Sequence, residues 1–190
     1  KEGLLSTDEK LEVLIARNAW QKELIWNRFS MDQLGMSISQ PDKVRRSSQT
    51  ISVGNTGNWS TKNYLPMGCL KNKETDSILF WQIEQNGSWY WEISDQDGHM
   101  YLQLSGPTEH QSHWWKNLKP GDTFASVPVS VGSACGDVEE AAGELTKYRR
   151  AIRRKNEDNE KLPVIFNDYM NCLWGDPTTE KELPLIDKAK

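Results

Sequence analysis

Three segments near the middle of the chain, residues 77–85, 88–95 and 99–105, read as strands and are separated only by Asn86-Gly87 and Asp97-Gly98. Asn-Gly and Asp-Gly supply the positive φ angles that tight hairpin turns require, so the three segments are expected to form a meander in one sheet. Strand patterns flank them. Leu11, Val13 and Ile15 alternate with polar residues or with the opposite face, as do Ile51 and Val53. Ala125, Val127, Val129 and Val131 alternate with Ser126, Pro128 and Ser130. Pro128 removes a ladder donor, which places that last strand at an edge or a bulge. Several antiparallel strands with apolar faces to bury imply a mainly β chain folded as a two-sheet sandwich.

The pattern changes after residue 136. Asp137-Val-Glu-Glu140 is a capping-box signature, and Val138, Ala141, Leu145, Tyr148 and Ile152 recur at helical spacing. One helix is expected over residues 137–154. Glu139 and Glu140 stand in its first turn and Arg149, Arg150, Arg153 and Arg154 in its last, so both ends complement the helix dipole. The basic cluster therefore needs no ligand. Residues 156–161 contain no apolar side chain and read as a linker between a domain at 1–155 and a second segment at 162–190. In that segment Val164, Ile165 and Phe166 form an unbroken apolar run, the pattern of a strand buried on both faces of a parallel sheet. A polar loop follows, then a helix opened by Asp176 as N-cap and Pro177 at the first helical position. Pro184 predicts a kink or a late restart in that helix. A parallel sheet needs further strands, so the segment is expected to open a domain whose remainder lies beyond Lys190.

Composition narrows the function classes. The 190 residues carry 23 basic and 27 acidic side chains, a formal charge of -4 with no long block of one sign, which argues against nucleic acid as a partner. No run of about 20 apolar residues is present, so no membrane span is expected. The first ten residues lack an apolar core and are not expected to be a signal peptide. Cys69, Cys135 and Cys172 are an odd number at wide spacings with no CxxC, which fits reduced thiols and a cytoplasmic location. Asn58 and Asn86 have the glycosylation pattern, which also arises in ordinary Asn-rich turns. No nucleophilic triad, Gly-rich phosphate loop or complete metal site appears, and no cofactor is expected.

Nine tryptophans are a heavy aromatic load for this length. Trp81, Trp89 and Trp91 lie on strand patterns and are expected in the core as cross-strand pairs. Trp114 and Trp115 follow the polar loop Glu109-His-Gln-Ser-His113 and are either exposed or packed under their neighbours. Trp59 lies in Gly54-Asn-Thr-Gly-Asn-Trp-Ser-Thr-Lys-Asn63, where no strand face demands a large aromatic. It either anchors that loop or meets a ligand or a neighbouring domain. His110 and His113 are spaced to chelate a metal, yet no further ligand completes a zinc set. Asp168 is the most suspicious carboxylate. At the carboxyl end of a barrel strand it would stand at an active-site rim together with Asn167, Tyr169 and Met170; the simpler alternative is a cap or hydrogen bond within the adjoining loop.

Several motifs carry a likeness to a known family. Leu162-Pro-Val-Ile-Phe-Asn-Asp-Tyr-Met-Asn171, Gly175-Asp-Pro-Thr-Thr-Glu-Lys181 and Leu183-Pro-Leu-Ile-Asp187 resemble the opening of the catalytic barrel of α-galactosidases of glycoside hydrolase family 36. Gly54-Asn-Thr-Gly-Asn-Trp-Ser60, Tyr64-Leu-Pro-Met-Gly68, Tyr101-Leu-Gln-Leu-Ser-Gly-Pro-Thr-Glu109 and Thr146-Lys-Tyr-Arg-Arg-Ala-Ile-Arg-Arg154 resemble that family's amino-terminal sandwich and the helix leading to its barrel. The likeness runs from about residue 50 to the end; the first fifty residues match only in being strand-like. It implies an antiparallel β-supersandwich, a linking helix and the start of a (β/α)8 barrel. It also implies retaining hydrolysis of terminal α-linked galactose by two aspartates, both expected beyond Lys190. The implied partner is an α-galactoside oligosaccharide, with homo-oligomerisation left open. Asn167, Asp168, Tyr169 and Met170 are carried over as the pocket rim, and Trp59 as the loop aromatic that the family's sandwich sends toward the sugar. A carbohydrate-binding module without catalysis, a galactosyl transferase and an α-N-acetylgalactosaminidase remain alternatives.

Overall fold

A strand with two apolar faces must be covered on both, and this requirement organises the sandwich. In β1 (Leu11–Ala19), Leu11, Val13 and Ile15 point to one side and Leu14 and Ala16 to the other, and all five are buried. The computed structural model describes residues 10–36, 49–96 and 99–189. After β1 come β2 (Lys22–Ser30), β3 (Ile51–Asn55), β4 (Tyr64–Asn72), β5 (Ser77–Ile83), β6 (Trp89–Gln96), β7 (His99–Ser105) and β8 (Val129–Cys135). The helices are α1 (Glu109–Ser112), α2 (Val138–Ile152), α3 (Glu157–Lys161) and α4 (Thr179–Ala189). The chain divides into two compact units, Lys1–Ala151 and Ile152–Lys190.

In the first unit, β2-β1-β4-β5-β8 form a five-stranded sheet and β3-β6-β7 a three-stranded one, with every pairing antiparallel. Between the sheets, Val13, Leu70, Trp81 and Ile83 meet Val53, Trp89, Trp91 and Ile93. On the other face of the larger sheet, Leu14, Cys69, Ile78 and Phe80 pack under Ala141 and Leu145 of α2. The result is three layers: small sheet, large sheet, helix. Trp81 and Trp91 cross edge to face with ring centroids 5.2 Å apart. Two glycines make room for large rings. A Cβ on Gly68 would lie 2.5 Å from Trp81 Cζ2, and one on Gly132 would lie 2.4 Å from Phe80 Cζ. Pro66 sits inside central strand β4, where it is tolerated because the β1–β4 register shifts between the Ile15–Gly68 and Arg17–Tyr64 pairs.

The sandwich expectation is met, and Trp81, Trp89 and Trp91 are core residues. β8 lies at an edge with Pro128 just ahead of it. The meander is half formed: β6 and β7 pair as an antiparallel hairpin, but β5 and β6 do not pair. β5 pairs with β4 and β8 in the large sheet, whereas β6 pairs with β3 and β7 in the small one, so Asn86-Gly87 turns the chain from one sheet to the other. The Asp97-Gly98 turn lies outside the described residues. One half of the capping box is present: the backbone N–H of Asp137 donates to Glu140 Oε2 at 2.7 Å, while the Asp137 side chain accepts from the Val138 N–H at 2.7 Å. Asp137 also accepts from Arg28 Nη2 at 2.7 Å, which ties the start of α2 to β2. That hydrogen bond chiefly, and the Val138 N–H after it, hold the Asp137 carboxyl below its ordinary value. The helix stops at Ile152, so Arg153 and Arg154 lie past its last turn.

The second unit departs further from expectation. Residues 157–161, read as linker, form the short helix α3, capped by the Asn156 side chain accepting from the Asn159 N–H at 2.8 Å. The segment at 162–168 forms no strand: Val164, Ile165 and Phe166 are 100%, 86% and 58% exposed. Strand geometry requires ladder partners, and among the described residues none pairs with this segment. Helix α4 begins at Thr179, two residues after Pro177, and the Thr178 carbonyl accepts from the Lys181 and Glu182 N–H groups. Asp176 is therefore no N-cap; it accepts a hydrogen bond from Lys181 Nζ instead. Pro184 lies inside a helix that runs on to Ala189 with no restart.

Candidate functional site

Trp59 lies on the loop between β3 and β4, and its neighbours explain its position. The buried Trp89 donates its indole N–H to the Ser60 carbonyl at 2.7 Å, and Asn18 Nδ2 donates to the Thr61 carbonyl at 2.5 Å. The Asn18 N–H donates to the Asn63 carbonyl at 2.9 Å, and Asn55 Nδ2 to the Gly57 carbonyl at 2.8 Å. Backbone carbonyls on both sides of Trp59 are thus tethered to the sandwich while its own ring stays 62% exposed. The loop is anchored by Trp89 and Asn18, so the anchoring role considered for Trp59 is filled by others.

In the second unit, Asn167 Oδ1 accepts from the Tyr169 N–H at 3.0 Å, an Asx turn that starts the π-type turn Tyr169–Leu173. The Asp168 carbonyl accepts from the Leu173 N–H at 2.9 Å, closing that turn. The Tyr169 ring lies over Gly175, where a Cβ would sit 3.0 Å from Cε2, and Gly175 has a positive φ of 79°. The Met170 side chain lies outside the described residues. Asn167, Asp168 and Tyr169 are therefore one local turn, and all three take part in shaping it.

The Asp168 side chain faces α4. With Phe166, Glu182, Leu185, Ile186 and Ala189 it lines a pocket of about 540 Å³. The neighbouring Asp168 carboxyl lifts the Glu182 carboxyl above its ordinary value. Glu182 was missed in the sequence although a signal existed. Glu182, Leu185, Ile186 and Ala189 follow the i, i+3, i+4, i+7 rule that puts one carboxylate on the apolar stripe of α4.

Elsewhere the chemistry is sparse. His110 lies within α1 and His113 caps its C-terminus. Among the described residues no group of three metal-ligating side chains occurs. Cys69 is buried, Cys135 and Cys172 are exposed, and all three are free thiols. No helix among the described residues is long and apolar enough to cross a membrane. Trp114 and Trp115 are exposed, and Trp114 stacks on Phe124 with centroids 5.7 Å apart. Comparison of the chain with protein-family models, with curated proteins and with solved structures finds no match.

Proposed function

We propose that this chain is the sandwich, linking helix and barrel opening of a glycoside hydrolase that removes terminal α-linked galactose from oligosaccharides, and that the catalytic aspartates lie outside its 190 residues. The observation that carries the proposal is the exposed run Val164-Ile165-Phe166 just ahead of the Asn167-Asp168-Tyr169 turn. An unbroken apolar run left uncovered has the composition of an inner barrel strand awaiting neighbours. The family resemblance supplies the reaction class, and the rim carboxylate Asp168 supplies a hydroxyl acceptor for the sugar. The tethered loop that presents Trp59 adds a flat apolar surface of the kind that packs on a sugar ring.

The test is hydrolysis of an aryl α-galactoside by the parent protein and by the 190-residue chain, with galactose and raffinose titrated into the chain by calorimetry. The expected outcome is product from the parent and neither product nor heat from the chain. An inactive parent overturns the reaction class. Product from the chain alone overturns the placement of the catalytic pair, and saturable heat without product favours the second reading, a sugar-binding module that works through Trp59.

A further inference from the structure

Helix α2 covers only part of the sheet beneath it. It sets Ala141 and Leu145 over Leu14, Cys69 and Phe80, and beside this contact a groove of about 290 Å³ stays open toward β2. Leu65, Met67 and Phe80 form its floor, Trp26 one flank, and Ala142 and Leu145 the other. The two polar side chains of the helix flank differ in availability. The Thr146 hydroxyl is taken by the Ala142 carbonyl at 2.7 Å. Arg149, by contrast, gives Nε to the neutral Gln82 Oε1 at 2.9 Å, with Nη2 on the same oxygen, and forms no ion pair among the described residues. The nearby carboxylate Glu84 accepts from Ser130 and from the Tyr148 hydroxyl at 2.6 Å, bonds that chiefly, with the through-space charge of Arg149 added, hold it below its ordinary value. Cys69, the remaining titratable group of the groove, is kept neutral because burial pushes its thiol up to about 12.

We propose that this groove binds a small aliphatic carboxylate, its chain along the Leu65, Met67 and Phe80 floor and its head on the Arg149 guanidinium. The walls offer a hydroxyl-rich sugar almost nothing to bond, so the ligand differs in class from the galactoside substrate proposed above and the site is independent of that reading. The match is one of charge and polarity together: an apolar slot of ligand-site size ends at a cation whose remaining N–H donors suit the two oxygens of a carboxylate. An uncharged hydrocarbon would leave the guanidinium unused.

The experiment is calorimetric titration of the 190-residue chain with decanoate below its micellar concentration, with decanol as the headless control and sedimentation to follow self-association. Saturable binding at one decanoate per chain is expected. The Arg149→Gln change, at an exposed position, should weaken decanoate about tenfold, the loss of a charged hydrogen bond, and leave decanol binding unchanged. Ala142→Trp, also on the solvent side of α2, should abolish binding of both while the far-UV circular dichroism stays that of the parent chain. Absence of saturable heat overturns the proposal. So does equal decanoate affinity in the Arg149→Gln chain, or a dimer that decanoate does not dissociate, which would mean that a second copy fills the groove.

Discussion

The two units treat the same kinds of residue in opposite ways. In the sandwich, Val13 and Trp91 are fully buried, while in the second unit no described residue is buried and Val164 is wholly exposed. The difference is not one of hydrophobicity. Val13 lies in a strand whose neighbours β2 and β4 satisfy its backbone and whose two faces are covered by the small sheet and by α2. Val164 has neither ladder nor cover. A strand is thus a property of its neighbours as much as of its own residues, and apolar sequence without them yields an extended, exposed segment.

This contrast can be broken by mutation. The largest effect is expected at Trp91→Ala, which removes a fully buried ring packed edge to face against Trp81 and should cost about 3–5 kcal/mol in urea unfolding. A loss below about 1 kcal/mol would mean that the sandwich core is not the stabilising region described above. A smaller effect is expected at the Arg28–Asp137 contact. The depressed Asp137 carboxyl contributes stability that is present above its unfolded value near pH 4 and is lost as pH falls through the still lower folded value. Because both side chains are partly exposed, the contribution is below about 1 kcal/mol. Asp137→Asn should flatten the fall in melting temperature below roughly pH 4, and an unchanged acid limb would show that the contact carries no linkage. The smallest effect is expected at Ile165→Ser, within about 0.5 kcal/mol of the parent chain. If that change destabilised the chain as much as Trp91→Ala, the two units would not differ as described.

Much of the sandwich was legible because burial and alternation coincide there. Trp81, Trp89 and Trp91 were placed in the core from their strand pattern, and Asp137 to Glu140 marked the start of α2. The edge position of β8 also agrees, but residues 125–128 with Pro128 lie ahead of the strand and its alternating Val129 and Val131 are exposed. What the pattern could not reveal was which sheet a strand joins. Asn86-Gly87 specifies a tight turn, but β5 and β6 each carry an inward apolar row that fits either sheet, and the choice is made by long-range pairing with β4, β8, β3 and β7. At the candidate site the same limit recurs. Asp168 was singled out from its place after an apolar run, whereas its partner Glu182 belongs to a helix fourteen positions later, and only folding brings the two carboxyls together. The N-cap reading of Asp176 failed because Lys181 competes for that carboxylate and Thr178 supplies the carbonyl that starts α4.

Trp89 has one end in the core and the other on a loop carbonyl, and this has a consequence for recognition. The ring is held by the inter-sheet core, and its N–H holds Ser60, the residue beside Trp59. The loop is therefore ordered when the sandwich folds, so a partner meeting Trp59 encounters a preorganised surface and the ordering entropy is not lost again on association.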